Sequence, residues 1–320
     1  MNPKEKDISS LWARLASEAG LDPNAYRLSR EWLRQELRRA ASIRLYENEA
    51  GHKVIFKAIL RDMAEDAFRE TVAFQSQASA AMRGIHRIPH VLASDAAERC
   101  LLMDHATGET IFDLIEAAGE PLRHLEVAGR WLADFHRTSL EEAEVFRPKP
   151  IENRFRRQVE EITSGDKDVV ERDHFLRVAS HLLSELPSFI RRKSHFARCH
   201  GDYNLRNVIQ GPTDVWAIDL GRGARKPIGC DIAQALIHYT STLANLDNLR
   251  PGEIVPRPAI RAFFRGYDVT KPNDPSVQVW LRAQFLRSWM HIPVRAMDRN
   301  WAQYQKSQRF LRIANNILAE

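Results

Sequence analysis

The chain has 320 residues, 44% of them hydrophobic and 28% charged, enough to bury a large core in one bilobal unit or two domains. No apolar run approaches membrane-spanning length. Three widely spaced cysteines argue against a disulfide framework and for a reducing compartment. The net charge of +5 is uneven: residues 250–320 hold twelve Lys/Arg against five Asp/Glu, a local balance of +7. Those arginines are scattered along helical stretches and are not clustered with aromatics, so solvated helix faces are expected and no nucleic-acid partner.

Met1–Asp7 has no apolar core of a signal peptide, which with the cysteines implies a cytoplasmic protein. Residues 8–20 read as an amphipathic helix with Leu11, Trp12 and Leu15 on one face. Residues 31–60 look strand-rich: Ile43–Tyr46 and Lys53–Leu60 flank a hairpin turn at Glu49–His52. A helix then runs from about Asp62 to Met82, and His90–Leu92 and Cys100–Met103 form two further strands. The pattern turns helical after Asp104–Gly108. One apolar stripe is Leu125, Ala128, Trp131, Leu132 and Phe135; another is Phe175, Val178, Ala179, Leu182, Leu183 and Leu186, with a Pro-containing loop over 141–150 between them. Further stripes follow over 285–290 and 310–317. The expected class is α+β, with a small antiparallel β-sheet N-lobe over 1–104 and a mainly helical C-lobe over 105–320 that holds the acceptor.

The chemistry concentrates in His200-Gly201-Asp202-Tyr203-Asn204-Leu205-Arg206-Asn207, followed twelve residues on by Asp219. Val208–Gln210 and Val215–Ile218 are β-prone runs around the turn Gly211–Asp214, a hairpin that would bring Asn207 and Asp219 out together at its open end. An aspartate to accept a hydroxyl proton, with an amide and a carboxylate to hold Mg²⁺, is the equipment of phosphoryl transfer from a nucleotide to an alcohol. Lys57 lies inside an apolar strand and must snorkel or find an anion; Glu70, thirteen residues later on the following helix, and Glu65 are the available carboxylates. Cys199, His200 and Asp202 are too close in sequence to chelate zinc together easily.

Cys199–Ile209, Ala217-Ile218-Asp219 and Asp231-Ile232-Ala233 resemble the H-G-D-x-x-x-x-N, I-D and D-L-A motifs of the aminoglycoside phosphotransferase and choline kinase-like families, relatives of the protein kinases. Gly129–His136 looks like their helix below the active site, and Phe263–Tyr267 like their F-x-x-G-Y helix. The resemblance spans about residues 40–270 and implies a bilobal protein-kinase-like fold with ATP (or GTP) and Mg²⁺ between the lobes. It implies Asp202 as base, His200 as a brace for its loop, and Asn207 and Asp219 as metal ligands. Lys57 paired with Glu70 would hold phosphates. Leu101–Ala106 resembles the families' adenine-binding hinge, with Met103, Asp104 and Ala106 facing the base.

One part is missing. From Leu21 to Ala50 there is no glycine, although a loop covering phosphates uses glycines to bring backbone N–H groups close. Arg38 and Arg39 are the candidate replacement. Gly221-Arg222-Gly223 lacks a third glycine, so it is no dinucleotide fingerprint, and no Walker A motif occurs. The acceptor is then a small hydroxyl-bearing molecule, a sugar, amino alcohol or antibiotic-like compound, neutral or anionic given the +7 of the C-terminal segment. Alternatives are a lipopolysaccharide-core sugar kinase, given Asp219-Leu220-Gly221-Arg222, and a catalytically silent kinase-like binding module.

Overall fold

A computed structural model describes residues 7–36, 39–60 and 63–319. The chain divides into two compact units: Met1–Gly108 with Ile209–Gly223, and Glu109–Val208 with Ala224–Glu320. The sequence reading drew one boundary at 104/105. Here the segment carrying Asp219 groups with the N-terminal unit, because Val215–Ala217 pairs in parallel with His86–Arg87.

The first unit is built on a five-stranded antiparallel sheet. Its strands are β1 (Tyr26–Glu36), β2 (Arg39–Asn48), β3 (Lys53–Ile59), β5 (Val91–Asp95) and β6 (Cys100–Asp104), in the order β1-β2-β3-β6-β5; β4 (His86–Arg87) lies in another sheet. Along β3 the side chains alternate, so one face takes Val54, Phe56 and Ala58 and the other Ile55, Lys57 and Ile59. The first face packs on Leu11, Trp12, Leu15 and Ala16 of the helix Ile8–Glu18, where Trp12 stacks on Tyr46 with centroids 3.6 Å apart. The second packs with Phe68 of the helix Glu65–Ala81 and with Leu101 and Met103. A central strand with one buried and one partly buried face thus places Lys57 at the edge of an apolar layer.

β1 was not separated from its surroundings by the sequence pattern. Its leucines Leu28 and Leu33 stand about half exposed, so no alternation marks a buried face. It is an edge strand with exposed Arg27 and Arg30, while its Glu31 accepts from Ser42 and Arg44 of β2.

The second unit is helical. The expected stripe of Leu125, Ala128, Trp131, Leu132 and Phe135 is wholly buried on the helix Pro121–Arg137. The stretch 141–150 expected as a loop is partly ordered: Glu144–Val145 pairs with Lys193–Ser194, and a helix already begins at Lys149. Pro150 falls in its first turn, where a missing N–H costs nothing. The helix Gly229–Thr242 is buried along most of its length and packs on the helix Pro275–Trp289. Among the described residues no helix is long and apolar enough to cross a membrane.

The helices Pro121–Arg137 and Arg257–Gly266 cross at unusually close range. A Cβ on Gly129 would overlap the carbonyl of Phe263, and one on Gly266 would overlap the carbonyl of Glu126. Both obstacles are backbone, so no rotamer change relieves them. Gly266→Val should therefore cost about 3 kcal/mol or more, seen as a lower urea midpoint with an unchanged m-value. An unshifted midpoint would mean the helices part at no cost.

Candidate active site

The loop Cys199–Asn207 belongs to the second unit and is held from below by one carboxylate. Asp231 lies in the first turn of the helix Gly229–Thr242, fully buried. Its Oδ2 accepts the His200 N–H at 2.7 Å and its Oδ1 accepts the Gly201 N–H at 3.0 Å. His136 Nε2 stands 3.2 Å from the same carboxylate, and His136 Nδ1 2.8 Å from the Tyr267 hydroxyl. Burial alone would raise the Asp231 pKa. The His136 hydrogen bond, the nearby charges of His136 and His200 and the Gly201 N–H outweigh it, so the group sits below its ordinary value.

One turn further along the same helix, Gln234 completes the anchorage. Its Oε1 accepts the Tyr203 N–H at 2.7 Å, and its Nε2 donates to the Gly201 carbonyl at 2.9 Å. Tyr203 in turn donates its hydroxyl to the Ala128 carbonyl at 2.7 Å and stacks on Trp131. Asp231 and Gln234 are three residues apart, hence on one helix face. That spacing is visible in the sequence.

His200 is fully buried and its Nδ1 accepts the Asp202 N–H at 3.3 Å. Asn207 Nδ2 donates to the Asp202 carbonyl at 2.8 Å and lies 3.4 Å from Asp202 Oδ2; Asn204 Nδ2 lies 3.3 Å from Oδ1. The loop thus brings Asp202 and Asn207 together in one hydrogen-bonded turn.

His136, Cys199 and Asp231 place their polar atoms within 4.8 Å of one another, a different trio from the Cys199, His200 and Asp202 weighed in the sequence. Burial pushes the Cys199 thiol up, and the His136 and Asp231 atoms already bond each other, so the cluster serves as a structural knot.

Lys57 and Asp219 meet in the first unit. Lys57 Nζ is 2.5 Å from Asp219 Oδ1, with both side chains about four-fifths buried. Asp219 adopts φ +60°, left-handed backbone that costs a non-glycine residue about 1–2 kcal/mol. The turn lies two residues after the strand Val215–Ala217.

Glu70 takes a different partner from the one the resemblance implied. It lies 3.4 Å from Arg222 Nη1, both side chains more than half exposed, while Glu65 pairs with Arg69 one turn on. The segment after Asp219 lies against the helix Glu65–Ala81, where a Cβ on Gly223 would overlap the Phe74 ring. That packing brings Arg222 to Glu70, and the less exposed carboxylate of Asp219 takes Lys57.

The hinge candidates end β6. Met103 is buried and pairs with Ile55; Asp104 donates its N–H to the His90 carbonyl at 3.0 Å. Ala106 is buried, and its backbone forms no hydrogen bond among the described residues. Arg38 lies outside the described residues, and so does the side chain of Arg39, whose backbone begins β2.

Removing Asp231 takes the acceptor from the buried His200 N–H and the partly buried Gly201 N–H and the partner from His136 Nε2. Asp231→Ala should cost about 3–5 kcal/mol by urea denaturation. The pH dependence has a definite sign. A carboxyl held below its ordinary 3.8 stabilises fully above that value and loses its contribution as pH falls through the lower folded value. The stability gap between wild type and Asp231→Asn should therefore narrow below about pH 4. A gap that widens on acidification would contradict this.

The model of a phosphotransferase enzyme family matches residues 27–276. No curated protein matches. Solved structures share the fold at low identity. A choline/ethanolamine kinase family protein from Mesorhizobium loti is 13% identical, with 98% of this chain and 95% of that chain covered and a TM-score of 0.56. A macrolide 2′-phosphotransferase from Brachybacterium faecium is also 13% identical, with coverage of 94% and 98% and a TM-score of 0.56. A streptomycin–ATP–APH(2″)-IIa ternary complex is 11% identical, with 97% of each chain covered and a TM-score of 0.52. With its α+β protein-kinase-like fold and a family match over most of its length, the chain belongs to the phosphotransferase enzyme family.

Proposed function

We propose that the protein transfers the γ-phosphoryl group of ATP, or of GTP, to a hydroxyl of a small molecule, with Asp202 as the base. The observation that carries this reading is the Asn207–Asp202 turn. Asn207 spends its amide N–H on the Asp202 carbonyl, which leaves its Oδ1 for a cation and sets the Asp202 carboxylate beside it. In the transfer the bond from the γ-phosphorus to the β–γ bridging oxygen breaks and a bond to the acceptor oxygen forms. The hydroxyl proton passes to Asp202, and the nucleoside diphosphate leaves.

Hard oxygen donors suit Mg²⁺, and Asn207 Oδ1 with the Asp219 carboxylate would hold it. When bound, Mg²⁺ supplies neutralisation of phosphate charge. Lys57, kept in place by Asp219, would hold phosphate oxygens, and Ala106, whose backbone is uncommitted, would meet the nucleotide base beside Met103 and Asp104. Glu70, paired with Arg222, would act indirectly by steadying the segment that carries Asp219. The fold's solved relatives include one holding ATP and streptomycin, which supports a nucleotide and a small hydroxylated acceptor.

Two substitutions separate the roles. Asp202→Asn should keep the affinity for AMP-PNP with Mg²⁺ within a few-fold by calorimetry, while turnover drops by roughly 10²-fold or more. Asp219→Ala should abolish Mg²⁺-dependent nucleotide binding. If Asp202→Asn turns over normally, the base lies elsewhere; if wild type binds no nucleotide with Mg²⁺, the reading fails.

Arg38 and Arg39 would stand in for the missing glycines by gripping phosphate with their guanidinium groups. The double change to Ala should raise the KM for ATP more than about tenfold, and an unchanged KM would remove them from the site.

A further inference from the structure

Around Phe112 the second unit gathers positive charge that its acids do not balance. Phe112 lies in the first turn of the helix Ile111–Ala118 and donates its N–H to the Leu205 carbonyl at 3.1 Å, so its ring is fastened beside the Asp202–Asn207 turn. Arg206 lies over that ring, its Cζ 3.3 Å from the centroid. The ring of His238, from the helix Gly229–Thr242, meets the same Phe112 ring at 5.6 Å. His238 Nδ1 is buried and has no hydrogen-bond partner among the described residues.

Lys306 comes from the helix Trp301–Ile317, which packs on the His238 helix. It is half-buried, its Nζ is 5.6 Å from the Phe310 ring, and it forms no hydrogen bond or ion pair among the described residues. Among the described residues the one carboxylate facing Arg206 is Asp113, at 4.0 Å, with both side chains more than half exposed. Burial first, then the charges of Lys306 and Arg206, push His238 down to about 3. A partly desolvated ammonium with no counterion among the described residues is costly to the fold. It becomes favourable when an anion arrives.

We propose that Lys306, Arg206 and His238 form an oxyanion subsite for the acceptor, so that the phosphorylated molecule carries a carboxylate or phosphate group besides its reacting hydroxyl. The inference rests on the phosphotransfer reading for the hydroxyl end. Arg206 is four residues from Asp202, at most about 14 Å along the chain, so one small molecule can reach both. Lys306 supplies a point charge, Arg206 a two-pronged donor, and the His238 ring a further N–H. A polycationic acceptor is repelled by the same groups.

The test is calorimetric, on the full chain. Wild type is titrated with citrate, with inorganic phosphate and with glycerol as the neutral control, each with and without saturating AMP-PNP and Mg²⁺. Saturable binding of citrate or phosphate in the presence of the nucleotide is expected, and none of glycerol; which of the two binds tighter tells carboxylate from phosphate. Lys306→Met and Arg206→Met should each weaken it by about tenfold or more, and Lys306→Arg should restore most of it. Lack of saturable oxyanion binding, or wild-type binding by Lys306→Met, overturns the subsite. Failure of AMP-PNP to bind wild type is a separate result: it defeats the phosphotransfer reading, while the nucleotide-free titrations still decide the subsite.

Discussion

A single buried carboxylate organises the second unit. Asp231 collects two consecutive backbone N–H groups from the loop of Asp202 and one imidazole from the helix Pro121–Arg137. A charge this deep is tolerable only where hydrogen bonds replace water on nearly every side. The loop geometry and the core therefore depend on each other. His200 reaches its place because Asp231 holds its N–H, and it then accepts the N–H of Asp202. The aromatic packing of Trp131, Phe135 and Tyr203 around the His200 ring keeps water out of the knot.

In the first unit the matching constraint is the pair of Lys57 and Asp219. It joins the middle of a central strand to a turn held in left-handed backbone, and both groups are shielded enough for charge to matter. The outer pair of Glu70 and Arg222 is exposed and worth little by itself. Its place on the helix Glu65–Ala81 fixes the segment after Asp219 all the same, helped by the close seat of Gly223 on Phe74. The resemblance to kinases implied one ion pair, Lys57 with Glu70. Two ion pairs stand in its place because an arginine three residues beyond Asp219 competes for the glutamate.

Much of this was legible in the sequence, for identifiable reasons. The α+β class, the alternation of β3 and the stripe on Pro121–Arg137 could be read because each element buries one face and exposes another. The motif from His200 to Asn207 could be read because its chemistry needs fixed spacing. The edge strand β1 hides its identity, since it has no buried face to betray the period. The helix Lys149–Ser164 was readable from Ile151, Phe155 and Ile162, but Pro148 and Pro150 at its start looked like loop. The bonds made by Gln234 and Tyr267 are not readable because they are tertiary: each satisfies groups 31 residues or more away in sequence. The partner of Glu70 was unreadable for the same reason.

The division of the chain bears on how the protein is made. The first unit is interrupted by residues 109–208 and completed only by Ile209–Gly223. Closing so long a gap carries a loop entropy that grows slowly with length, but the closing segment must exist first. On the ribosome, β4 waits for its parallel neighbour, and Lys57 waits for Asp219, until well over half the chain has been synthesised. During that interval the five-stranded sheet can assemble from local hairpins while one of its charged groups still relies on water. The two units therefore cannot mature strictly in order, and the last turn of the first is delivered only after residues 109–208 have been made.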